Sequence, residues 1–158
     1  MDDETERERA CVVVMEAGSE WPPSLDRGGA DCAVIPQQPG ESPGELALRA
    51  SRRVLGLWEQ GVALDAVVIA AGPRSDDEAV AARRTVARSL VLAMETARAG
   101  ELVFSAPSRI SEQARHALVG LAGTLAGQAR GRRLTVGVRF PPPGAAALHD
   151  EDARSLAG

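Results

Sequence analysis

The chain has 158 residues, 44% of them hydrophobic and 25% charged, with a formal net charge of -4. A globule of that length buries roughly 70% of its unfolded surface, enough for one domain with a real core. The acidic balance excludes a global field drawing the chain to nucleic acid or an anionic membrane, and the lack of lysine excludes Schiff-base, P-loop and general-base lysine chemistry.

All 18 cationic residues are arginine, and asparagine and tyrosine are missing as well. Those residues have AT-rich codons, so a GC-rich bacterial genome accounts for the bias. Cys11 and Cys32 form no CxxC, and His116 and His149 complete no metal-ligand spacing. With no signal peptide ahead of them, the cysteines are expected as reduced thiols in a cytoplasmic protein. No apolar run approaches the ~20 residues of a membrane span.

Residues 1–9 are almost wholly charged and read as a disordered tail. Cys11 to Met15 is an uninterrupted apolar, β-branched run, the signature of a strand covered on both faces. Residues 16–31, rich in Gly, Pro and Ser, form a long loop with Trp21 positioned to pin it to the body. Cys32 to Ile35 is a second short strand, ended by Pro36. Ser42-Pro-Gly-Glu45 is a capping box opening a helix that runs to about Gln60 and stops at Gly61. Ala47, Ala50, Val54, Leu57 and Trp58 make its buried stripe.

Ala66 to Ala70 is the third strand. Ser75-Asp-Asp-Glu78 reads as a second capping box, starting a helix that reaches about Ala99 and closes at Gly100. Its core face is Ala79, Ala82, Val86, Leu90, Ala93, Met94 and Ala97, with Arg83, Arg84, Arg88 and Arg98 placed elsewhere. Leu102 to Phe104 is the fourth strand. A third helix follows from about Ile110 to Ala129, capped by Ser108 or Ser111. Gly120, Gly123 and Gly127 inside it each cost up to about 1 kcal/mol against alanine. Either the helix approaches the sheet closely there, or a second copy approaches the helix. Leu134 to Phe140 alternates, which predicts an edge strand with one wet face, free to run antiparallel. Pro141-Pro-Pro-Gly144 then stops regular structure, and residues 141–158 are expected as a flexible tail.

Alternation of strands and helices predicts an α/β fold. The expected form is a three-layer α/β/α sandwich on a mainly parallel sheet of about five strands, Rossmann-like or flavodoxin-like, within residues 10–140. Ligands of such sheets collect beyond the carboxyl ends of the strands. Arg74, Ser75, Ser105, Ser108 and Arg109 gather at that edge and suit an anionic metabolite or nucleotide. Plain helix capping accounts for the same serines, and Asp76, Asp77 and Glu78 balance the arginines.

No G-x-G-x-x-G, Walker A or G-x-S-x-G sequence is present. No cofactor, metal or nucleic-acid partner is implied; Arg130, Arg132 and Arg133 cluster without an aromatic platform. The outline is similar to small nucleotide-binding α/β modules, including the universal stress proteins, without their glycine-rich phosphate signature. The expectation is a non-catalytic module that self-associates or binds a protein partner, with Gly120, Gly123 and Gly127 at the interface. The alternative is a small-ligand domain of universal-stress-protein-like architecture using the strand-end edge.

Overall fold

A computed structural model describes residues 9–22, 32–98, 100–129 and 133–141. Residues 1–8 and 142–158 of the tails expected at 1–9 and 141–158, residues 23–31 of the 16–31 loop, Arg130, Arg132 and His149 lie outside the described residues, and Arg9 opens the first strand. Five strands, β1 (Arg9–Met15), β2 (Cys32–Pro36), β3 (Ala63–Ala70), β4 (Glu101–Ser105) and β5 (Thr135–Arg139), form one sheet. Three helices, α1 (Pro43–Glu59), α2 (Asp77–Ala97) and α3 (Glu112–Gln128), connect the last four of them.

The strand order is β2-β1-β3-β4-β5, the flavodoxin-like arrangement, and every pair is parallel. The α/β sandwich inferred from alternation therefore stands. The antiparallel option for the last strand is corrected. β5 pairs in parallel with β4, Leu102 opposite Val136 and Phe104 opposite Val138. Its alternating pattern reports a wet face and carries no information about direction. Direction is set by α3, because a helix between neighbouring strands makes a crossover that returns the chain parallel. β5 does lie at an edge, as expected.

The steps β2 to β3, β3 to β4 and β4 to β5 all move the same way across the sheet. Right-handed crossovers then put α1, α2 and α3 on a single face, so the expected three-layer arrangement is corrected: among the described residues the helices cover one face of the sheet. Packing agrees. Val12, Val14, Val67, Ile69, Leu102 and Phe104 share one buried cluster with Leu46, Val54, Leu90, Met94, Leu118 and Leu125 of the helices. Fully burying side chains of this kind contributes roughly 1.5–3 kcal/mol each. The alternate residues Val13, Val68 and Val103 form a smaller cluster on the opposite face, with Cys11, Met15, Trp21 and Cys32 packed against it. Trp21 thus pins the post-β1 loop, as its isolation in a polar stretch predicts.

Helix ends follow local chemistry. Ser42 accepts from the Glu45 N–H at 3.1 Å, with Pro43 opening α1, and Gly61 follows at φ +79°. At α2 the cap is one residue later than expected. Asp76, not Ser75, accepts from the Ala79 N–H, at 3.2 Å. The far end closes on Arg98 at φ 55°, so the left-handed residue is an arginine and Gly100 is not the closer. Ser111 caps α3, accepting from the Ala114 N–H at 3.1 Å.

Candidate functional site at the carboxyl ends of the strands

The chain leaving β1 turns sharply and stays close to the sheet. Glu16 N–H donates to the Ala70 carbonyl at 3.1 Å, and Ser19 N–H to the Glu16 carbonyl at 3.0 Å. Gly18, at φ +76°, allows the turn. The turn after β3 presses against this segment. A Cβ on Gly72 would lie 2.6 Å from the Ala17 carbonyl oxygen, so only glycine fits. This contact brings the Gly72 N–H within 2.9 Å of Glu16 Oε1.

Arg83 completes the arrangement from the second turn of α2. Its Nε donates to Glu16 Oε2 at 2.6 Å and its Nη2 to Oε1 at 2.7 Å, a two-pronged ion pair. Nη2 also donates to the Arg74 carbonyl at 3.3 Å. Arg83 is only 3% exposed, which corrects its expected position away from the core face. Its spacing carried the signal: four residues after Ala79, three before Val86 and seven before Leu90 places it on the buried stripe. A charged residue on that stripe needs a buried partner, and Glu16 is 67 positions away in sequence.

A second pair braces the β2–α1 turn. Arg49 donates to Glu41 through Nε at 2.6 Å and Nη2 at 2.8 Å, and to the Pro36 carbonyl at 2.7 Å. The hydrogen bonds from Arg49, and then from the Gln38 N–H, hold the Glu41 carboxyl below its ordinary value. Gln37 Oε1 accepts from the Ala17 N–H at 3.1 Å, tying this turn to the post-β1 segment. Between the two pairs lies a cleft of about 230 Å³ with Leu46, Ala82 and Val86 among its apolar walls. It sits at the carboxyl ends of β1 and β3, where ligands of doubly wound sheets collect.

The residues expected to hold an anion are dispersed. Arg74 lines the cleft, but its Nη2 donates to Asp76 at 2.6 Å and lies 3.6 Å from Glu78. Arg74 in turn depresses the Asp76 carboxyl. Ser75 is half-buried beside the Asp76 cap. Ser105 is buried at the end of β4 on the face opposite the helices. Ser108 donates its N–H to Glu20 Oε2 at 3.2 Å and its hydroxyl to Oε1 at 2.9 Å. Arg109 is exposed in the same turn.

Glu16 and Glu20 are two carboxylates of this edge that motif reasoning does not single out as a set. Both come from the single segment after β1. Both place a carboxylate against the donors at the head of a neighbouring strand-to-helix turn, Gly72 after β3 and Ser108 after β4. Chemically, the edge holds two built-in anions.

The expected interface glycines lie at the other side of the molecule. Gly120, Gly123 and Gly127 are exposed on α3, and among the described residues a Cβ added to any of them would meet nothing within 4 Å. Close approach to the sheet is therefore not the reason for them. Val119, 51% exposed, lies on the same side of the helix. Among the described residues no group of three or more His, Cys, Asp or Glu is placed to hold a metal, and no helix is long and apolar enough to cross a membrane. Compared with protein-family models, curated proteins and solved structures, the chain matches none.

Proposed function

We propose that this chain is a non-catalytic α/β module that works by association with a second copy through the outward side of α3. One observation carries the reading. Gly120, Gly123 and Gly127 lie beside the exposed Val119, and nothing among the described residues requires glycine at these positions. Glycines on one helix side let a partner backbone come close. α3 also lies against β5, the strand at that end of the sheet. Localisation in the cytoplasm belongs to the same proposal.

Sedimentation velocity across a dilution series tests it. The reading predicts a dimer that dissociates on dilution, and a Gly123→Gln chain that stays monomeric at concentrations where the parent pairs. A parent chain that is monomeric throughout contradicts it.

A second reading is favoured by the 230 Å³ cleft. It makes the chain a small-ligand domain at the strand-end edge, where a ligand would compete with Asp76 and Glu78 for the exposed Arg74. Its discriminator is thermal: phosphate-bearing ligands raise the melting temperature of the parent and not of Arg74→Ala. The internal carboxylates of Glu16 and Glu20 weigh against an anion there and place this reading second.

A further inference from the structure

We infer that Cys11 and Cys32 form a reversible disulfide site, a dithiol that exchanges with small-molecule disulfides and fastens the edge strand β2 to β1. The two residues are direct partners in the β1–β2 parallel ladder, so their side chains leave the sheet on the same face. Their Sγ atoms lie 2.6 Å apart, as free thiols. A disulfide bond is roughly 2.05 Å long, so closure requires a shift of about half an ångström. Neighbouring strands also keep the Cα atoms near the roughly 4.4–6.8 Å that disulfides span.

Both thiols are half-buried against the Val13, Val68 and Val103 cluster with Trp21 nearby. They take no part in the strand-end cleft or the α3 side. Burial, and then the hydrogen bond with Cys32, push the Cys11 thiol up to about 12. Exchange begins when one of the two thiols loses its proton to solvent and its thiolate attacks one sulfur of a glutathione-type disulfide. A mixed disulfide forms, and one small-molecule thiolate leaves and is protonated. The sulfur of the other cysteine then attacks the protein sulfur of the mixed disulfide, and its proton ends on the second departing thiolate. Two protein thiols and one small disulfide become one protein disulfide and two small thiols, with two electrons passing to the small molecule.

The bond would close a loop of 21 residues and hold β2 against separation from the sheet edge. A cross-link over a loop of that size corresponds to a rise in Tm of roughly 6–12 °C for a chain of this length.

The test uses the full chain in reduced and oxidised glutathione buffers, quenched with acid, alkylated and weighed intact. The expected product in oxidised buffer is a single chain two hydrogens lighter, closed to alkylation and reopened by reductant. It should form at least tenfold faster in native buffer than in urea, and melt higher than the reduced chain. Cys11→Ser and Cys32→Ser should instead retain an alkylatable thiol or a glutathione adduct. Persistent alkylation of both thiols in the oxidised parent, a stable glutathione adduct on it, faster closure in urea, or an unchanged or lower Tm each overturns the proposal.

Discussion

Removing the Glu16 carboxylate leaves the buried Arg83 guanidinium without its counter-charge, which costs roughly 3–5 kcal/mol. Glu16→Ala should therefore shift the urea midpoint sharply downward. Because the vacated space retains the Arg83 fork and the Gly72 N–H, formate or acetate should raise the melting temperature of Glu16→Ala and leave the parent unchanged. An equal response of the two chains would show that the carboxylate is not the element those donors require. Gly72→Ala tests the neighbouring contact. Its Cβ would press on the Ala17 carbonyl at 2.6 Å, and a loss of roughly 1–3 kcal/mol is expected by denaturant titration.

Titration adds two limbs of opposite sign. Glu41 and Asp76 are held below their ordinary values of 4.5 and 3.8 by Arg49 and Arg74. On acidification the unfolded chain takes up these protons first, so their stabilisation is complete above about pH 5 and is lost as pH falls through the folded values. Cys11 runs the other way. Its thiol, raised from 9.0 to about 12, ionises first in the unfolded chain. That stabilisation is complete below pH 9 and is lost as pH rises toward 12. Urea midpoints measured against pH should show a shallower acid limb in Glu41→Gln and a shallower alkaline limb in Cys11→Ser. Limbs identical to the parent's would assign the titration to other groups.

At the scale of the element, α3 allows its glycines to be tested without disturbing the core. In the dissociated chain, with no described atom near the added methyl group, Gly120→Ala or Gly127→Ala should stabilise the helix by up to about 1 kcal/mol, a Tm rise of roughly 2–4 °C, whereas in the proposed dimer the same methyl group meets the partner. Gly56→Ala in α1, equally unobstructed, is the control that should raise Tm and leave association untouched. A Tm loss in the α3 variants alone, in step with loss of the dimer, is what a partner helix pressed on those backbones produces.

The elements were legible because strand and helix periods differ. The buried runs of β1, β3 and β4 and the capping serines Ser42 and Ser111 mark their own positions. What was not legible needed three-dimensional proximity or a choice between near-equal caps. Asp76 and Ser75 are both good caps, and the fold decides between them. Arg98 in the left-handed region displaces Gly100 as terminator, against the usual preference. The Glu16–Arg83 pair joins segments 67 residues apart, and the only local clue was an arginine on an apolar stripe.

For the whole molecule, the sheet order places two different surfaces on opposite flanks. One flank carries the edge strand β2 and the Cys11–Cys32 pair; the other carries β5, α3 and the exposed glycines. Between them, the carboxyl edge that serves as a ligand site in related architectures is braced by the chain's own Glu16 and Glu20. An edge occupied by the chain's own carboxylates and a helix side exposed among the described residues both favour association over ligand binding. Native mass spectrometry of the protein purified from its own host tests this most directly. The expected result is a species of twice the chain mass with no small molecule attached, reduced to single chains by Gly123→Gln. A single chain carrying a bound small molecule would contradict it and move the function to the cleft.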